Sequence, residues 1–215
     1  MRSREKNNPF RFLPMDIGRL VCSALLPIYR YRRIHVSGEQ YKKHIKGGTI
    51  IASNHTGFSD PFFIGTAFWY RRVFFLAAKE VMKNGIVEIL LKGMGCIKID
   101  RETSDINAIR KCVNLLKEGR ILSVFPQGGI SVNSEIDKLK SGAVLMALQA
   151  EVPIIPAYTL KREHWWQRQR IVIGDEFDCK QLCGKKFPSV ADMEKLSEEL
   201  SQKIEECRKV YEQTK

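Results

Sequence analysis

An apolar run rich in β-branched residues, Thr49 to Ala52, gives way abruptly to polar residues and ends at Asp60-Pro61. Such a short run is typical of a buried strand, and proline favours the first turn of a following helix. Further strand-like runs lie at 73–78, 95–101, 121–125, 152–158 and 170–173, and helical patterns separate most of them. This alternation predicts an α/β fold: a single-domain sandwich with a mostly parallel central sheet flanked by helices.

His55 and Asp60 follow the first of these runs, so we expect both in a loop at the carboxyl end of a strand, where open α/β sheets keep their chemistry. A histidine exchanges protons near neutral pH. A carboxylate five residues later could bind the second ring nitrogen and fix the tautomer. The pair predicts a general base without a protein nucleophile, so the substrate must bring its own, such as a hydroxyl.

The composition is that of a globular protein, with 44% hydrophobic and 28% charged residues in a chain of 215. The net charge of +12 is unusual, and it predicts attraction to nucleic acid, anionic lipid surfaces or phosphorylated substrates. Charge alone does not choose between these partners.

Residues 1–32 differ from the rest of the chain, because a basic stretch precedes an apolar stretch from Phe12 to Tyr31. The apolar stretch is too short and too charged for a membrane span, and it lacks the small-residue cleavage site of a signal peptide. Flanking arginines favour an amphipathic helix lying in a membrane interface over one packed in the core. We therefore divide the chain into a membrane-associating segment, 1–32, and a catalytic domain, 33–215.

Six cysteines lie scattered along the chain, and we expect reduced thiols in a reducing compartment. Cys179 and Cys183 have the spacing of half a metal site, but no second pair accompanies them, so no metal is predicted. His35 and His44 have no acidic residue at the spacing of a dyad, and we interpret both as surface histidines.

Two further loops should converge on His55. Arg101 lies just past the end of a predicted strand, and the planar fork of arginine suits a phosphate. Phe125-Pro-Gln-Gly-Gly129 follows another strand, and a Gly-Gly loop can bring backbone N–H groups close to an anion. Each signal is weak alone, since strand-end arginines and paired glycines are common. Their ordered combination with His55 and Asp60 is much less common.

Here the chain resembles the glycerophospholipid acyltransferases, typified by 1-acyl-sn-glycerol-3-phosphate (lysophosphatidic acid) acyltransferase. The first block of that family, N-H-x-x-x-x-D, is matched in full and is individually specific. The resemblance covers roughly residues 33–175, including Leu139-Lys-Ser-Gly142 in place of a common F-K-x-G. The matching blocks are Asn54-His-Thr-Gly-Phe-Ser-Asp60, Gly95-Cys-Ile-Lys-Ile-Asp-Arg101, Phe125-Pro-Gln-Gly-Gly-Ile-Ser131 and Val152-Pro-Ile-Ile-Pro156.

The resemblance implies acyl transfer from acyl-CoA or acyl carrier protein to the free hydroxyl of a lyso-glycerophospholipid. The acceptor it favours is 1-acyl-sn-glycerol-3-phosphate, which gives phosphatidic acid. His55 would be the general base and Asp60 would orient it. No covalent acyl-enzyme, metal or bound cofactor is implied. Arg101 would hold the acceptor phosphate, and the implied substrate-binding residues are Asn54, Arg101, Gln127, Gly128 and Lys140.

The third block departs from the family pattern F-P-E-G-T-R-S, because Gln127, Gly129 and Ile130 replace its glutamate, threonine and arginine. Gln127 keeps hydrogen-bonding capacity but carries no charge. The departure leaves a different lyso-lipid acceptor open. By the same resemblance, we expect the protein at the cytoplasmic face of the cell membrane, as a peripheral or monotopic protein bound to an anionic surface.

Two other classes of function stay open. A basic nucleic-acid-binding module fits the charge, although the basic residues do not form one stripe with interleaved aromatics. The nearest such cluster is Trp165-Trp166 with Arg168 and Arg170, and we predict no nucleic-acid partner. A hydrolase could use the same dyad on water, but the Gly-x-Ser-x-Gly elbow of α/β-hydrolases is absent from the sequence.

Overall fold

One sheet of seven strands forms the centre of the part of the chain that the computed structural model describes. The described residues are 13–29, 31–82, 85–100, 105–128, 139–160, 169–185 and 188–214. The strands are β1 Arg32–His35, β2 Thr49–Ser53, β3 Val73–Ala78, β4 Cys96–Ile99, β5 Ile121–Val124, β6 Ile154–Thr159 and β7 Arg170–Ile173. The helices are α1 Leu13–Tyr29, α2 Asp60–Ala67, α3 Gly85–Gly93, α4 Ile106–Lys117, α5 Gly142–Ala150, α6 Cys179–Cys183 and α7 Val190–Gln213.

The strand order is β1-β7-β6-β2-β5-β3-β4, and every neighbouring pair is parallel except β6 with β7. Ala52 of β2 stands beside Val124 of β5, and Phe75 of β3 stands beside Ser123. The loops that follow β2, β5, β3 and β4 therefore leave the sheet at the same edge. The predicted sheet, mostly parallel and flanked by helices, is confirmed.

Side-chain alternation along the strands divides the interior into two cores. Ile50 and Leu122 face one side with residues of α4, α5 and α7, whereas Ile51 and Ile121 face the other side with α2. Successive side chains of a strand point to opposite faces, so a strand covered on both faces must be apolar throughout. This explains why β2 reads as a continuous buried run rather than an alternating one.

Side-chain caps begin two of the helices. Asp105 caps α4 by accepting the N–H of Ala108 at 2.9 Å, and Ser189 caps α7 in a capping box with Asp192. Asp60 differs from its prediction, because it opens the first turn of α2 instead of lying in the preceding loop. Proline at the second helical position is compatible with this start, since its missing N–H would have no partner in the helix.

Helix α1 packs against α2 and α3. Met15 is buried in the core, and Arg72 donates to the Asp16 carboxylate at 2.8 Å. Gly95, at φ +83°, lies directly against Met15. A Cβ at position 95 would collide with the Met15 methyl group, so the position favours glycine. Among the helices of the described residues, none combines the length and apolar character that crossing a bilayer requires.

Candidate active site

His55 and Asp60 form the predicted pair. The Nδ1 atom of His55 lies 2.9 Å from Oδ2 of Asp60, and the Asp60 side chain is fully buried while His55 keeps 12% of its surface exposed. A carboxylate on Nδ1 favours the tautomer in which Nδ1 carries the proton and Nε2 has a free lone pair. The ring can then accept a proton at Nε2 and share the resulting charge with Asp60.

The chain itself orients Asp60. Its Oδ2 atom also accepts the backbone N–H groups of Thr56 at 2.6 Å and Gly57 at 2.9 Å. Three donors on one oxygen satisfy a carboxylate that has no contact with solvent, which removes the cost of an unpaired buried charge. The five-residue spacing therefore has a reason: it is the length of turn that lets Asp60 bind both the ring and the loop.

The loop after β5 holds His55 from the other side. The Phe125 ring stacks on the imidazole, with centroids 4.2 Å apart and planes 17° from parallel. The amide oxygen of Gln127 accepts the backbone N–H of His55 at 3.2 Å. Phe125 and Gln127 thus contact the ring and the backbone of one residue. The structure confirms the expected meeting of these two loops.

Gly128 closes the turn that aims Gln127 at His55. It adopts φ +75°, and its N–H donates to the carbonyl of Phe125 at 3.0 Å. A Cβ at this position would lie 2.9 Å from Cε and 3.2 Å from Nζ of Lys140. The Lys140 side chain therefore lies directly over the turn, and its cation reaches the edge of the site.

Asn54 has contacts that the sequence did not reveal. It is 2% exposed, and its amide pairs with the backbone of Thr159 in both directions, at 2.8 Å and 3.0 Å. The side chain ties the end of β2 to the end of β6. These contacts give Asn54 a structural role, and its predicted contact with substrate stays a prediction.

A cavity of about 340 Å³ opens beside Phe125. Its wall is mostly apolar and includes Leu76, Ile109, Leu145 and Met146, while Asp100 and Lys140 border it. A larger and more polar groove, about 580 Å³, lies between Lys140 and the Glu194 to Ser201 face of α7. Only the smaller cavity has Phe125 in its wall, so we regard it as the one that adjoins the dyad.

Charge also gathers at this edge of the sheet. Lys79 lies just past the end of β3, and Asp100 lies just past the end of β4. The Nζ atom of Lys79 donates to Oδ2 of Asp100 at 2.7 Å. Asp100 immediately precedes Arg101, which lies outside the described residues together with Gly129, Ile130 and the Trp165-Trp166 cluster. The structure therefore brings together His55, Asp60, Gln127, Gly128 and Lys140, and it leaves the predicted role of Arg101 a prediction.

Comparison with known proteins identifies the family to which the chain belongs. A family model described as Acyltransferase matches residues 33–160, which is more than half of the chain and contains the dyad and both flanking loops. The chain belongs to the acyltransferase family. The predicted enzyme class is thereby confirmed.

Two similar bacterial proteins share one name. The 1-acyl-sn-glycerol-3-phosphate acyltransferase of Bacillus subtilis is 29% identical over 171 residues, which are 77% of this chain and 84% of the relative. The Streptococcus pneumoniae protein of that name is 33% identical over 108 residues, which are 50% of this chain and 39% of the relative. A crystal structure of the 1-acyl-sn-glycerophosphate (LPA) acyltransferase from Thermotoga maritima superposes with a TM-score of 0.61 at 20% identity, over 100% of this chain and 84% of that one. That likeness supports the fold.

Four cysteines of this acyltransferase are poorly suited to act as nucleophiles. Burial raises the pKa of Cys112, Cys179 and Cys207 to about 12 and that of Cys96 to about 11. These thiols stay protonated near neutral pH, and a protonated thiol is a poor nucleophile. The geometry thus favours direct attack by a substrate hydroxyl over an acyl-enzyme on these residues.

His35 has an acidic partner that the sequence spacing did not predict. We interpreted it as a surface histidine with no acidic residue at dyad spacing, and in the structure its Nε2 lies 3.1 Å from Asp175 and its Nδ1 lies 2.9 Å from the Ser37 hydroxyl. Asp175 is 140 residues away in sequence, so no local spacing could reveal the contact. Asp175 is largely exposed, and β1 and β7 lie at the far edge of the sheet from β5. This cluster is not part of the acyltransferase site.

Proposed function

We propose that the protein transfers a fatty acyl group from a thioester donor to the free hydroxyl of 1-acyl-sn-glycerol-3-phosphate, producing phosphatidic acid. The observation that carries this proposal is the His55–Asp60 pair, which lies within the matched family domain and whose imidazole stacks on Phe125, a residue in the wall of the apolar cavity. The names of the Bacillus and Streptococcus relatives support this acceptor. The donor is acyl-CoA or acyl carrier protein, and it acts as a co-substrate.

The reaction follows from the geometry of the dyad. Nε2 of His55 takes the proton from the acceptor hydroxyl as its oxygen attacks the thioester carbonyl carbon. Asp60 stabilises the imidazolium that forms, because its buried carboxylate is bound to Nδ1. The tetrahedral intermediate then collapses, the carbon–sulfur bond breaks, and the imidazolium returns the proton to the leaving thiolate. The products are the ester and a free thiol, and the enzyme ends in its starting state.

In this proposal, the residues around the dyad bind the acyl chain of the donor and the phosphate of the acceptor. The apolar cavity beside Phe125 accommodates an acyl chain, whose transfer from water is favourable by roughly 0.8 kcal/mol for each buried CH₂. Lys140 supplies a cation at the mouth of the cavity. Arg101, which follows Asp100 at the end of β4, supplies the fork that a phosphate monoester prefers.

We also propose a membrane setting for this reaction, at the cytoplasmic face. Phe58 lies between His55 and Asp60 in sequence, and its side chain is 82% exposed. Helix α3, which packs against α1, exposes 85% of Ile86 and 74% of Ile89. Large exposed apolar side chains near a site for a lipid substrate suit insertion into a bilayer interface. The net charge of +12 suits an anionic surface.

The test is a lipid product analysis of the purified protein. It is given lysophosphatidic acid and a panel of other lyso-lipids, each with palmitoyl and oleoyl thioesters of coenzyme A and of acyl carrier protein. We expect phosphatidic acid from the wild type and a loss of about 10²-fold to 10⁴-fold in kcat for His55→Ala. His44→Ala is the matched control, because His44 is exposed and lies outside the site. A His55→Ala protein with near-normal turnover would overturn the proposal, and a product from another acceptor alone would replace the acceptor.

A further inference from the structure

Gln127 has a contact that a substrate-binding residue does not need. Its amide oxygen accepts the backbone N–H of His55 at 3.2 Å, across 72 residues of sequence. The contact joins the loop after β5 to the loop after β2. A loop that carries a general base must hold it within a fraction of an ångström of the reacting proton, since small misplacements lower the rate strongly.

Three contacts define where the imidazole lies. Asp60 binds Nδ1, and Phe125 stacks on one face of the ring. Gln127 accepts the backbone N–H of His55. Asp60 and the loop amides of Thr56 and Gly57 belong to one local turn. Phe125 and Gln127 belong to the loop after the neighbouring strand β5, so they fix the turn relative to the cavity where the acyl chain is proposed to bind.

The charge of residue 127 matters as well as its reach. The carboxylate of Asp60 is in direct contact with the imidazole. Other charged side chains at this edge of the sheet include Lys79, Asp100, Asp105 and Lys140. A neutral amide at position 127 anchors His55 without adding a second carboxylate beside the ring. A carboxylate there would stabilise the imidazolium and make the base less available at low pH.

We propose that Gln127 is a positioning residue for the general base: its amide oxygen anchors the His55 backbone, and because the amide is neutral it does so without placing a second negative charge beside His55. This inference rests on the proposed function of His55 as the base. It assigns Gln127 an action through His55 in place of the predicted contact with substrate.

Two substitutions at position 127 separate the effect of its hydrogen bond to His55 from the effect of its charge. Gln127→Ala removes the anchor, and we expect kcat to fall about fivefold to tenfold, the usual effect of losing one hydrogen bond, with KM for donor and acceptor nearly unchanged. Gln127→Glu keeps the acceptor oxygen and adds a charge. We expect it to retain kcat at high pH and to move the acidic limb of the pH–rate profile upward by roughly half to one pH unit.

Gln202→Glu on the exposed face of α7 is the matched control for the added charge, and it should leave both rate and profile unchanged. The imidazole of His55 is followed separately by NMR of ¹⁵N-histidine-labelled protein, assigned with His55→Ala. Its titration midpoint should rise in Gln127→Glu and not in Gln202→Glu, a readout that does not require turnover. An unchanged midpoint, or a Gln127→Ala protein with wild-type kcat, would overturn the inference. An inactive wild type with a shifted midpoint would overturn the proposed function alone.

Discussion

One oxygen atom of Asp60 serves both the chemistry and the architecture of the site. Oδ2 binds the imidazole and also accepts the N–H groups of Thr56 and Gly57. The first contact needs a negative charge, because it stabilises an imidazolium that forms during the reaction. The other two need only an acceptor, because amide donors bind neutral oxygens as well. Substitutions at position 60 can therefore separate the two roles.

We expect Asp60→Asn to lose activity and keep its fold. The asparagine oxygen can replace Oδ2, whereas the missing charge should lower kcat by about 10²-fold to 10⁴-fold. Asp60→Ala leaves the partly buried N–H groups of Thr56 and Gly57 without their acceptor, at a cost of up to about 1–3 kcal/mol each, and Tm should fall by several degrees. Thermal unfolding followed by circular dichroism, together with turnover measurements, checks both variants. Equal Tm values for the two proteins would contradict this separation of roles.

The contacts around His55 also show which residues a sequence can reveal. The pairing with Asp60 lies within one turn, so the spacing N-H-x-x-x-x-D predicted it. Asn54 binds Thr159 on β6, 105 residues away, and the backbone of His55 binds Gln127 in the loop after β5, 72 residues away. Those distances depend on which strands are neighbours and in which register, and neither quantity is written in a local pattern. The His35 contact with Asp175 was missed for the same reason.

At the scale of elements, strand order creates the site. β2 lies between β5 and β6, neither of which is adjacent to it in sequence. The alternation of strands and helices predicted that the sheet would be mostly parallel and that its loops would meet at one edge. It did not predict which loops would be immediate neighbours. The placement of β5 beside β2 brings Phe125 and Gln127 to His55, and α5 then covers the adjoining cavity.

Helix α5 should control which acyl chains fit, because Leu145 and Met146 lie in the cavity wall. We expect Leu145→Trp to fill part of the cavity and to lower kcat/KM for palmitoyl donors by about tenfold or more, with a smaller effect on decanoyl donors. Gln202→Trp, on the exposed face of α7 and outside the cavity wall, is the control. Competition between the two donors in one reaction measures the ratio directly. An equal loss for both chain lengths would place the acyl chain elsewhere.

At the scale of the whole molecule, the charge and the exposed apolar side chains are matters of surface rather than fold. A net charge of +12 raises the local concentration of anions around the whole protein. Family membership identifies an acyltransferase and so decides the open choice between an enzyme and a nucleic-acid-binding module. The composition could not decide it, because a basic protein attracts lipid phosphates and nucleic-acid phosphates alike.

Membrane binding should therefore depend on two separable features, the apolar side chains of α3 and the basic surface. We expect the double variant Ile86→Asp with Ile89→Asp to bind vesicles of phosphatidylcholine and phosphatidylglycerol at least about tenfold more weakly, because it removes two exposed apolar anchors and adds negative charge. Val190→Asp is the control, since Val190 is 68% exposed at the start of α7, where an aspartate suits the helix dipole. Vesicle sedimentation across a salt series measures how much protein binds the vesicles.

Turnover is compared on lysophosphatidic acid in vesicles and on a short-chain, monomeric form. The double variant should lose turnover on vesicles and keep its rate on the monomeric acceptor, because His55 and Asp60 are unchanged. Wild-type partition of the double variant, or an equal defect in Val190→Asp, would exclude α3 as the membrane-facing helix.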